Sequence, residues 1–246
     1  MIQGKIRSIN ILLVPVIILS AILVSSCSSQ SAVPTETGLQ TAYYDAIEDA
    51  RVAEPDEIST DLVAITGYNK DLVWDGELGQ SRVLVVTWTS WNGYNSEVEQ
   101  SVNITRDVWV TVAPEVKEFS EKNDLSDDTL VLRLEQLLGL PPHNGKQWFV
   151  EMWVSPDYLF RPSPDPEITD HEAELNFHKG ASEAYVEWFN SLKDESYGEN
   201  GYPWTRLGYT YDWGNPSGEV GLSEFVLRSG ATVTVRSVSS TLDYVK

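Results

Sequence analysis

A single cysteine, at position 27 of 246 residues, constrains this chain more than any other feature. No internal disulfide can form, so whatever folds must be held by packing and hydrogen bonds. The cysteine also sits at a boundary. Before it, Met1 to Arg7 carries only the charges of Lys5 and Arg7, and Ile11 to Val24 is apolar with only Pro15 and Ser20 interrupting. A charged start followed by such a run reads as a secretory signal. It falls short of the ~20 apolar residues that a spanning helix needs. Export with cleavage is the expectation, and an uncleaved N-terminal anchor is the competing one.

The apolar run ends in Val24-Ser25-Ser26-Cys27: an aliphatic residue, two small residues and cysteine. This resembles the lipobox of bacterial lipoproteins, and the likeness covers the N-terminal segment alone. It implies cleavage before Cys27, a lipid on that sulfur, and a domain held at the cell membrane or outer membrane on the extracytoplasmic side. Several acyl chains at ~0.8 kcal/mol per buried methylene make a stable anchor. An ordinary signal peptide cut after a Ser-Ser pair, with Cys27 incidental, is the alternative. Ser28 stands where lipoproteins retained in the inner membrane often carry Asp, so the resemblance implies outer-membrane sorting in a cell with two membranes. Residues 28–38 are small and polar and read as a flexible tether, giving a signal peptide at 1–26, a lipidated tether at 27–38 and a domain at 39–246.

Removal of residues 1–26 leaves 15 basic against 37 acidic residues, a net charge of −22. Such a field repels nucleic acid and anionic headgroups, so nucleic acid is excluded as a partner.

Apolar periodicity predicts a helix from Leu39 to about Arg51 and another from Ser126, as N-cap, to Leu138, where Gly139 and Pro141-Pro142 stop it. A third follows from Tyr185, Trp188, Phe189 and Leu192. Runs of β-branched and aromatic residues at 82–90, 107–113 and 147–154 predict strands. Two more, 222–228 and 231–238, flank Ser229-Gly230 and suggest a tight hairpin. Arg161 to Pro166 reads as a surface loop. Strands and helices without regular alternation indicate an α+β domain with a mainly antiparallel sheet and about three helices.

The familiar catalytic signatures are absent: no Gly-x-Ser-x-Gly, no phosphate-binding glycine loop, and no second histidine after His171-Glu172. Asp165, Glu167 and Asp170, with His171, Glu172 and Glu174 close behind, could hold a hard cation such as calcium; the competing reading is a solvated acidic loop. The most informative pattern is the aromatic series Tyr202, Trp204, Tyr209, Tyr211 and Trp213. Glycine, proline and polar residues interleave it, so neither a helix stripe nor a plain strand accounts for it. Trp204, Arg206, Tyr209, Tyr211, Asp212 and Trp213 are therefore candidate binding residues, against the alternative that they pack a core. The functional expectation is a non-catalytic envelope module that binds a protein or a glycan. The competing class is a glycan-directed envelope hydrolase using carboxylates near Asp165 to Glu174 with Trp204 and Trp213.

Overall fold

The computed structural model describes residues 35–78, 80–123, 125 and 127–245. The expected signal segment, the expected lipid-bearing Cys27, most of the expected tether and the expected Ser126 cap lie outside the described residues.

Helix α1 spans Glu36–Asp49, opened by Thr35, whose hydroxyl accepts from Gly38 N at 3.2 Å. The helix thus starts just ahead of the apolar periodicity that begins at Leu39. Then come β1 (Trp74–Asp75), β2 (Arg82–Thr89), β3 (Ser101–Asn103) and β4 (Val108–Val112), followed by α2 (Ala113–Asn123) and α3 (Asp127–Leu137). Strands β5 (Trp148–Val154) and β6 (Leu159–Phe160) lead to α4 (Glu183–Ser196). The chain closes with β7 (Tyr209–Tyr211), β8 (Val220–Ser223), β9 (Phe225–Leu227), β10 (Thr232–Ser240) and α5 (Thr241–Tyr244).

The class is α+β as expected, with five helices among the described residues instead of three. The extra ones are α2, whose apolar spacing is sparse, and the single turn α5. Gly139 ends the second predicted helix as anticipated: its φ is +62°, and Leu140 N and Gly139 N donate back to Glu135 O and Gln136 O. Ser182 caps α4 by accepting from Tyr185 N.

One sheet runs in the order β3-β10-β5-β2-β4-β9-β6, with β1 beside β2, and β7 pairs with β8 apart from it; every pairing is antiparallel. The predicted hairpin at Ser229-Gly230 does not form: β9 pairs with β4 and β6, and β10 with β3 and β5. Gly230 does turn the chain at φ +89°, but the turn carries it across the sheet. Strands β9 and β10 lie four places apart, ~19 Å in a flat sheet, and the short link between them is folded by Ala231 N donating to Arg228 O. The equally short link from β3 to β4 makes the same jump, and the two links bond to each other through Ile104 and Gly230. The sheet must therefore curl.

Inside the curl lies an apolar cluster with Val83, Val85, Val112, Val150, Met152, Phe225, Val233 and Val235. The alternate residues of β2 and β5, Leu84, Val86, Trp88 and Phe149, pack instead against Val116 of α2, Leu130, Leu134 and Leu137 of α3, and Tyr244. Burial on both faces explains why these strands read as continuous apolar runs.

The segment Arg161 to Pro164 is buried, not a surface loop. Arg161 donates to the Asp170 carboxylate and to the carbonyls of Val63, Asp170 and Glu172, while the Tyr185 hydroxyl donates to the carbonyls of Arg161 and Ser163. Four bonds to one guanidinium make it a buried tie between segments. No helix among the described residues is long and apolar enough to cross a membrane.

Candidate functional site

Between β8 and β9 a single residue, Glu224, belongs to neither strand. Leu222 before it packs toward the helices and Phe225 after it enters the inner core, so the chain changes layers at this point. Glu224 N is held by Gly208 O at 2.9 Å.

Two cavities meet at this break. The first, of about 380 Å3, is walled by residues 86–89 of β2 and 108–111 of β4, by Phe149, and by Tyr94 and Arg106. The second, of about 420 Å3, runs under Trp204, Tyr202 and Tyr211 to Glu195 of α4. Trp109, Leu138, Leu140, Lys146, Thr210 and Glu224 line both, so together they form one cleft. Trp109 and Trp204 meet edge to face with ring centres 6.1 Å apart. Phe189 backs Trp204 at 4.8 Å. Volume and aromatic walls are those of a small-molecule site.

Several of the cleft's polar groups lack a charged partner among the described residues. Glu224 keeps partial contact with solvent, yet its Oε2 is sealed with no hydrogen-bond partner, and burial alone holds its carboxyl well above the usual range. Lys146 donates from Nζ to Trp88 O at 2.9 Å; burial first, and then the charge of Arg106, pull its ammonium below the ordinary value. Trp204 is 4% exposed and its indole N–H has no partner. Just outside, Glu115 accepts a long bond from Ser223 N, and burial pushes it up to about 8.

Of the six aromatic-series candidates, Trp204 and Tyr211 line the cleft. The other four line neither cavity and tie segments of the fold together. Arg206 donates to the carbonyls of Ala50 and Arg51, and the Tyr209 hydroxyl donates to Glu57 O. Asp212 is buried in a two-bond pair with Arg133 of α3. Trp213 donates its indole N–H to Leu140 O, fixing a residue that lines both cavities.

The predicted calcium carboxylates do not converge, and among the described residues no group of three or more metal-binding side chains occurs. Arg161 occupies Asp170, the Thr169 hydroxyl donates to Glu167, and Asp165 accepts from Glu167 N. These three acids are each engaged within the fold, while burial and the charges of Asp165, Asp170 and Glu172 hold the Glu174 carboxyl above its ordinary value.

Sequence reasoning missed Trp109, Lys146, Arg106 and Glu224. A signal existed for the last: an acid inside the apolar run Leu222 to Leu227 must either find a partner or be kept for a purpose. No protein-family model matches the chain, and no curated protein or solved structure is significantly similar to it.

Proposed function

We propose that the chain is a lipid-anchored cell-envelope protein whose folded domain binds a ligand in the cleft around Glu224. The anchor rests on the lipobox-like Val24 to Cys27. The binding role rests on one observation: a carboxyl with no partner at the junction of two aromatic-walled cavities. An unsatisfied buried polar atom costs ~1–3 kcal/mol, and of the two described acids with such an oxygen, Glu115 and Glu224, only Glu224 lines a cavity. A ligand hydroxyl or amide offsets that cost.

Thermal-shift screening of envelope-derived oligosaccharides and peptides tests the cleft. At least one should raise the melting temperature, and Leu140→Trp, which fills the wall shared by both cavities, should abolish that rise. A rise that survives the filled cleft, or a library without effect, contradicts the reading. For the anchor, Cys27→Ser should move the protein from the detergent phase to the aqueous one.

A hydrolase is the second reading, and the observation favouring it is again Glu224, since a general acid must keep its proton near neutral pH. Its carboxylates would be Glu224 and Glu195, because none of the acids from Asp165 to Glu174 lines either cavity. Turnover of any ligand found, abolished by Glu224→Gln while binding persists, identifies the enzyme.

A further inference from the structure

The cleft is an exception to the charge of the chain that carries it. Acids outnumber bases by 37 to 17, yet Lys146 and Arg106 line the first cavity together and neither joins any ion pair among the described residues. Their charges oppose each other. Asp107 lines the same cavity, but its two oxygens accept from the Trp188 indole and from Ser229 N, and it forms no ion pair with either cation. In so acidic a protein, a half-buried Lys146 and an exposed Arg106 that neither Asp107 nor Glu224 of the same cavity pairs with point to an anion supplied from outside.

The remaining walls restrict what bears that anion. Trp109 lines both cavities, Thr87, Thr89 and Thr111 line the first, and Glu224 adds a carboxyl with no partner among the described residues. A flat apolar face, several hydroxyls and one carboxylate on the same small molecule describe a sugar acid. A cationic ligand would meet Lys146 in either cavity, and a neutral sugar would leave Lys146 and Arg106 unmatched.

Building on the cleft reading above, we propose that the ligand is an acidic sugar residue of a glycan, its carboxylate met by Arg106 and Lys146, its ring against Trp109 and its hydroxyls served by Glu224. The intact chain, applied to an array of carboxylated, phosphorylated, amino and neutral glycans, should bind the carboxylated set. Methyl esterification of a bound glycan removes the charge and caps one oxygen, and should weaken binding about tenfold, the value of one charge-assisted hydrogen bond. Arg106→Gln and Lys146→Met, with melting temperatures checked against the parent, should each give a loss of similar size. Equal binding of acid and ester, preference for neutral, amino or phosphorylated glycans, or tight binding of a free amino acid would overturn the assignment. Silence across the array, while Leu140→Trp still abolishes a shift caused by some other ligand, defeats the sugar acid and spares the cleft. Carboxylated glycans that bind the filled cleft undiminished defeat the cleft itself.

Discussion

Two enclosed carboxyls, Glu151 on β5 and Glu224 at the β8–β9 break, are treated in opposite ways by their surroundings. Glu151 is 3% exposed, and burial pushes its pKa up, but Lys117 at 3.0 Å, Ser237 at 3.0 Å and Arg236 at 2.9 Å outweigh burial and bring it below the ordinary value. Glu224 has burial and nothing else. One is a charge matched within the fold; the other is an acid left open beside a cavity. Burial therefore does not assign a role to an acid. The lack of a cation together with a place at a cavity wall does: Glu115 also has an unpartnered Oε2 but lines neither cavity, whereas Glu224 lines both.

Each prediction presses on that difference. Removing both cations, as Lys117→Ala with Arg236→Ala, strands Glu151 and should cost about 3 kcal/mol in urea unfolding at pH 7; a cost below about 1 kcal/mol would mean that the ion pairs are incidental. The second effect concerns pH. Glu115 is raised from 4.5 to about 8 by burial, so between those values the folded state holds a proton that the unfolded state has released. Stability therefore falls as pH rises through that window, and Glu115→Gln should flatten the fall by on the order of 2 kcal/mol between pH 5 and pH 8. Parallel curves for the two proteins would show that Glu115 ionises normally. The smallest effect is expected at the cleft: Glu224→Gln resembles the protonated acid and should change stability by less than about 1 kcal/mol at pH 7, whereas Glu151→Gln should cost about 2 kcal/mol. Equal costs would erase the distinction between the two acids.

Much of the scaffold was readable because burial is two-sided. Val83-Leu84-Val85-Val86 and Phe149-Val150 are apolar on alternate faces that feed separate clusters, so their β character needed no tertiary knowledge. Gly139 and Pro141 marked the end of α3 by local stereochemistry alone. The false hairpin failed for a non-local reason: Gly230 turns the chain as a hairpin glycine would, but the curl of the sheet sends β10 to strands far away in sequence. The cleft was half legible. Trp204 and Tyr211 stood out as aromatics interleaved with glycine and proline, although Tyr211 belongs to the short, irregularly paired β7, whereas Arg106 with Trp109, Lys146 and Glu224 come from three separate segments that only folding brings to one cavity. Asp165, Glu167 and Asp170 misled for the converse reason, being adjacent in sequence and separately satisfied in space.

The protonation of Glu224 at neutral pH tests the account most directly. Carbonyl-region infrared difference spectra of the parent against Glu224→Gln, with Glu151→Gln as the control, resolve a carboxylic acid from a carboxylate. At pH 7 the Glu224 difference should carry the protonated carbonyl band and the Glu151 difference only carboxylate bands. A carboxylate signature from Glu224 would mean that the cleft already supplies a counterion, and that no unmatched acid awaits a ligand there.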